Sequence, residues 1–193
     1  MSSNQKVILI TGASSGVGQS TARLLSQKGY KIFGTTRNPA SAEAIPDVEM
    51  MPLDVRSDDS VAACVKAVAD EAGRIDVLVN NAAYELAGAI EEISIDEAKA
   101  QFETNFFGIV RMVQAILPSM RQHRQGQIIN VSSLSGVSSP FMGIYSAQQI
   151  RVGRLHGSPT AGSRTAEYSC IADGSRFSQN AHDGQATGIN RTA

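Results

Sequence analysis

The segment Lys6–Gly18, KVILITGASSGVG, restricts the fold more than any other stretch of this chain. A run of β-branched and apolar residues passes directly into a glycine-rich turn, and the turn into GQSTARLLSQKG, where Ala22, Leu24 and Leu25 mark a helical face closed by Gly29. Strand, turn and helix follow in that order. The pattern repeats: YKIFGTTR and VEMMPLDV read as strands, Ser60–Ala72 as a helix, and IDVLVNN as a fourth strand. Ser94–Arg121 reads as a long helical region, with Phe102, Phe106, Ile109, Val110, Val113 and Ile116 at spacings of three and four, and GQIINVSS as a fifth strand. Strands separated by helices imply a parallel sheet covered on both faces. Ile128, Ile129 and Val131 in the fifth strand fit burial on both sides.

The turn carries the first functional reading. Directly after a first strand, Gly12 permits a tight turn, Gly16 lets backbone approach a pyrophosphate, and Gly18 allows close helix–strand packing, while the helix N-terminus faces the phosphate charge. Ser15 and Val17 complete this candidate phosphate-binding set. No lysine follows the last glycine, which argues against a nucleoside triphosphate loop. At the end of strand two, an acidic residue would suit the free ribose hydroxyls of NAD, whereas this chain has Thr35-Thr36-Arg37-Asn38. Arg37 favours NADP; the plainer alternative is an exposed loop arginine. Asp54 in LDV and Asn81 in NNAA fall where strand ends meet the expected crevice.

TGASSGVG, LDV, NNAA, TNFFG, NVSSLSG and YSA occur in the order and spacing of the short-chain dehydrogenase/reductase family, which the chain resembles from Lys6 to Ala147. The resemblance implies an α/β, Rossmann-like doubly wound parallel sheet over residues 1–147 and an oxidoreductase that moves hydride between a nicotinamide cofactor and an alcohol or ketone. Between Asn80 and Ala147 the wording is nearest to members acting on lipophilic substrates. Carried over by position, the catalytic set is Asn105, Ser133 and Tyr145. Tyr145 would exchange the proton, Ser133 would hydrogen-bond the reacting oxygen, and Asn105 would help hold a relay water. The interval from Ser133 to Tyr145 is one residue shorter than usual, leaving Ser132 as an alternative, and Ala83 replaces the glycine common after NNA.

A larger departure is Gln149, which stands where the family has a lysine four residues after the tyrosine. A phenol ionises near pH 10, so a useful phenolate fraction at neutrality needs about 4 kcal/mol of charge stabilisation. In the family the lysine ammonium supplies much of it; glutamine can donate a hydrogen bond but brings no charge. General acid–base catalysis, worth roughly 10² to 10⁴ in rate, is expected to be largely lost.

The family pattern ceases from Gln148 onward. Residues 148–193 hold only Tyr168 and Phe177 as aromatics, and Gly, Ser, Thr, Arg and Ala dominate. Too little apolar surface is available to offset ordering, so this stretch is expected to be disordered and the last two strands of the sheet to be missing, leaving strand five with an uncovered edge. The codons suggest a cause. Gln148 to Arg151 can be written CAG CAA ATA CGN, which one base later reads serine-lysine-tyrosine and restores Tyr-Ser-Ala-Ser-Lys. Ser175 to Gly184 can be written so that the same shifted frame gives Pro-Gly-Phe-His-Lys-Thr, the Pro-Gly and threonine that the family places after its sixth strand. An inserted base near codons 147 and 148 accounts for both.

Other function classes find less support. A net charge of -1 with no basic stripe argues against nucleic acid and anionic membrane. Cys64 and Cys170 lie far apart, and His123, His156 and His182 lack ligand spacing, so neither a disulfide framework nor a metal site is readable. The N-terminal apolar run, Val7–Ile10, is too short for a signal sequence or membrane span, and a cytoplasmic location is the expectation. The family often assembles through helices, one of which is altered here, which leaves homo-oligomerisation open.

Overall fold

A computed structural model of the chain describes residues 5–133, 144, 145 and 147, together with the backbone of 167–172 and 175–179. Gln149 and the remainder of 148–193 lie outside the described residues. Five strands, β1 (Val7–Ile10), β2 (Lys31–Thr36), β3 (Val48–Pro52), β4 (Val77–Asn80) and β5 (Gln127–Ser132), lie parallel. Their order is β3-β2-β1-β4-β5. The chain moves outward from β1 to β3, then returns to the other side of β1 with β4. That reversal creates a switch point between the carboxyl ends of β1 and β4, where open α/β sheets bind ligands.

Alternation along the strands explains the two-sided core. Val7 and Leu9 of β1, with Phe33, Leu78 and Ile128, face α2 (Asp58–Ala72) and α4 (Gly108–Gln122), packing against Val61, Cys64, Val68, Met112, Ile116 and Met120. Ile8 and Ile10, with Ile32, Val77 and Val79, face the other way and meet Ala13 and Ala22, the latter on α1 (Gly16–Gln27). Each strand is therefore apolar at consecutive positions, as burial on both faces requires. Ile128 is fully buried, whereas Ile129 and Val131 are half-buried, so the expected two-sided burial of β5 is complete on one face only. Burial raises the Cys64 thiol to about 11.

The helical region expected over Ser94–Arg121 is not one regular helix. α3 (Ile95–Phe102) begins with a reciprocal cap in which the Ser94 hydroxyl accepts from the Glu97 amide and the Glu97 carboxylate accepts from the Ser94 amide. A π-helical turn, Glu103–Phe107, then leads into α4. Such turns widen the backbone and recur at functional sites.

Two further strands lie beyond β5 among the described residues. β6 (Glu167–Ala172) pairs in parallel with β5 along its whole length, from Gln127↔Glu167 to Ser132↔Ala172, and β7 (Ser175–Gln179) returns antiparallel to β6. The edge of β5, expected to be uncovered, is thus paired with β6. A strand needs only a partner's free N–H and C=O row, which β5 presents.

Candidate nucleotide-binding site

At the switch point a cavity of about 650 Å³ opens among the ends of β1, β2, β3 and β4. Gly12, Ser15, Gly16, Val17, Arg37, Asp54 and Asn81 all line it. Thus seven of the eight candidate cofactor residues, contributed by four separated parts of the chain, are brought to one place.

The glycines divide as their chemistry demands. Gly12 has φ of 68°, and a Cβ there would lie 2.9 Å from the Ala82 Cα. Gly16 also has positive φ, 56°, but a Cβ would meet nothing within 4 Å, so the space beside its backbone is open. Gly18 does not line the cavity; a Cβ on it would come within 2.3 Å of the Gly12 carbonyl oxygen and 2.4 Å of Asn81 Nδ2. Gly18 therefore sets the close packing of helix and turn, while Gly16 leaves room at the surface. The first turn of α1 has no acidic residue, and its N-cap, Ser15, makes no side-chain cap. No acidic side chain of that turn meets its amide dipoles, and Gly16 and Val17 line the cavity, which suits a pyrophosphate.

Thr11 and Asn81 hold the turn in place. The buried Thr11 hydroxyl accepts from the amides of Asn81 and Ala82, both at 2.9 Å. Asn81 Nδ2 donates back to the carbonyls of Thr11 at 3.0 Å and Gly12 at 3.1 Å. The side-chain amide nitrogen expected at the crevice is consequently spent on fixing the β1 turn to the end of β4. Thr11 was not among the candidate residues; its place as the last residue before the glycine turn is the available signal.

On the other side, β2 and β3 bring two charges together. Thr36 is in register with Pro52, and the Leu53 amide donates to the Thr36 carbonyl at 2.8 Å, so Arg37 and Asp54 emerge from adjacent strand ends. Asp54 is engaged by Arg56: Nε donates to Oδ1 at 2.9 Å and Nη2 to Oδ2 at 2.6 Å, with the Arg56 amide also on Oδ1 at 3.0 Å. These bonds hold the Asp54 carboxyl down to about 2, with a further electrostatic contribution from Arg37. Arg56, Tyr84 and Thr104 line the cavity without having been singled out in the sequence.

The residues matched to the reaction are placed differently. Asn105 lies buried in the π-helical turn, where its Oδ1 accepts from the Tyr84 amide at 3.0 Å and its Nδ2 donates to the Tyr84 carbonyl at 2.7 Å. The π turn thereby fixes the chain leaving β4. Ser133 directly follows β5 and is half-buried, as is Tyr145, which lies on helical backbone. Neither these two nor Asn105 lines the cavity just described. Among the described residues no group of three or more His, Cys, Asp or Glu side chains could hold a metal, and no helix is long and apolar enough to cross a membrane.

A doubly wound sheet with a glycine turn and an uncapped helix N-terminus at its switch point defines a dinucleotide-binding α/β protein. The chain belongs to the short chain dehydrogenase family, whose profile matches residues 6–154. It is similar to the 3-ketodihydrosphingosine reductase of Bacteroides thetaiotaomicron, with 47% identity over 148 residues, covering 76% of this chain and 54% of the relative. It is also similar to human retinol dehydrogenase 8, with 38% identity over 162 residues, covering 77% and 51%. Among solved structures, a short-chain dehydrogenase from Streptomyces avermitilis superposes with a TM-score of 0.79 at 31% identity, over 89% of this chain and 66% of the other. A structure described as ElxO with NADP bound gives 0.72 at 26% identity, over 78% and 65%. The chain spans about half the length of the curated relatives it matches.

Proposed function

We propose that the chain is an NADP-preferring oxidoreductase of the alcohol–ketone type, impaired in turnover because Gln149 stands in place of the lysine of the Tyr-x-x-x-Lys motif. The observation that carries the nucleotide reading is the cavity, with Gly12, Gly16 and the start of α1 on one side and Arg37 on the other. In this reading Gly16 and the first amides of α1 bind the pyrophosphate, and Arg37 pairs with a phosphate on the adenosine ribose. A bound nicotinamide would supply the hydride. Tyr145 would exchange a proton at its hydroxyl, Ser133 would orient the reacting oxygen, and Asn105 would act chiefly by holding the Tyr84 segment. A small lipophilic alcohol or ketone is the substrate class in keeping with relatives named for a ketodihydrosphingosine and for retinol.

Glutamine brings no charge to the position where the family has its lysine, so the acid–base contribution is lost and turnover falls by roughly 10² to 10⁴. The altered reading frame from codon 148 accounts for both the glutamine and the loss of family wording after it. A second reading, a non-catalytic nucleotide-binding or regulatory remnant, is favoured by the same glutamine and by the intact binding end. Titration of the full chain with NADPH and NADH, followed by nicotinamide fluorescence, tests the cofactor assignment. Tighter binding of NADPH supports it, and equal or reversed affinities contradict it. Oxidation of alcohols or reduction of ketones by the bound cofactor separates the impaired enzyme from the remnant.

A further inference from the structure

The cavity mouth beside Arg37 holds a carboxylate, Asp54, on the adjacent strand end. A bare carboxylate there would oppose the binding of any phosphate that Arg37 holds, because like charges at this range repel and the partly enclosed site screens them less than bulk water does. Asp54 is not bare. Arg56, two residues on, takes both of its oxygens through Nε and Nη2 and adds its backbone amide to Oδ1. The planar guanidinium fork matches the carboxylate edge, a geometry that lysine cannot reproduce.

We infer that Arg56 is a specificity-determining residue for the cofactor: by pairing with Asp54 at the cavity mouth, it lets Arg37 act on a ribose 2′-phosphate without opposition. Counting these three side chains, the mouth carries one net positive charge with Arg56 present and none without it. Arg56 need not touch the phosphate to have this effect; it is a positioning and neutralising residue for Asp54. The inference rests on the NADP reading above and extends it to a residue that the sequence motifs do not mark.

The test uses adenosine 2′,5′-bisphosphate and adenosine 5′-monophosphate, which need only the adenosine end of the site, titrated calorimetrically into the full chain at pH 8 and low salt. The readout is the ratio of their dissociation constants, and binding of the monophosphate confirms that each variant is folded. Arg56→Gln is expected to lower the preference for the bisphosphate by about 3- to 10-fold, an effect that shrinks in high salt. Arg56→Lys, which keeps the charge, retains most of the preference, and adding Asp54→Asn to Arg56→Gln restores it. If Arg56→Gln leaves the ratio unchanged while Arg37→Ala abolishes the preference, the inference about Arg56 is wrong and the NADP reading stands. If the wild-type chain shows no preference and Arg37→Ala changes nothing, the NADP reading fails and takes this inference with it.

Discussion

The two ends of the proposed active site are built in different ways. The nucleotide end draws on β1, β2, β3 and β4, strands that pair with one another and supply much of the core on the α1 face. Its critical contacts, from Thr11 to Asn81 and from Asp54 to Arg56, join residues inside the first 81 of the sequence. The proposed reaction end draws on Ser133 after β5 and on Tyr145, four residues before Gln149, at the point where the family wording stops. In the proposed function, binding is determined before the family wording stops, whereas catalysis calls on residues on both sides of that point. The difference teaches that, in the proposed function, the dinucleotide site and the chemistry it serves are separable along the chain.

The largest expected effect on the nucleotide end comes from Gly18→Val. Its Cβ would overlap the Gly12 carbonyl and Asn81 Nδ2, neither of which can move without breaking the turn. Overpacking of this kind costs about 3 kcal/mol, to be read from chemical denaturation, and nucleotide binding should be lost with it. Gly16→Ala meets no neighbour and should cost only about 1–2 kcal/mol, from the positive φ. If the two substitutions are equally damaging, the division of labour between these glycines is wrong.

Next is Arg37→Ala, which should reduce discrimination between NADPH and NADH by about 10- to 100-fold, the range of a hydrogen-bonded charge pair. Thr11→Val follows. It keeps the side-chain shape but removes the acceptor for the amides of Asn81 and Ala82, and should lower stability by about 1–3 kcal/mol. The smallest effect belongs to the reaction end: in the chain as it stands, Tyr145→Phe should change residual turnover by less than about twofold, because an unactivated phenol contributes little to proton transfer. A complete loss of measurable turnover on this substitution would show that Tyr145 works without the lysine.

Much of this organisation can be read from the residues. Consecutive apolar positions such as Val7–Ile10 reveal a strand buried on both faces, and the glycines from Gly12 to Gly18 locate the turn that leads into α1. Other features are hidden for physical reasons. The π turn at Glu103–Phe107 inserts a widened turn into a region whose apolar spacings of three and four suit an ordinary helix equally well. Asn81 sits at the crevice by position, but hydrogen bonding turns its amide back to the glycine turn, and only the register of β1 and β4 reveals that. Arg56 is a charge on a loop until the fold shows which carboxylate it covers. In Glu167–Ala172, Tyr168, Cys170 and Ala172 alternate with other residues over six positions only, a signal too short to stand out from a polar stretch yet enough for a strand beside β5.

The proposed function separates binding from chemistry, and one paired measurement tests that separation. The chain as written and a chain carrying the alternative frame from codon 148 would be compared for NADPH dissociation constant and for ketone reduction under the same conditions. We expect NADPH to bind both chains, with turnover higher in the second by about 10² to 10⁴. Failure of the written chain to bind NADPH, or turnover in it that equals that of the re-framed chain, would contradict the account.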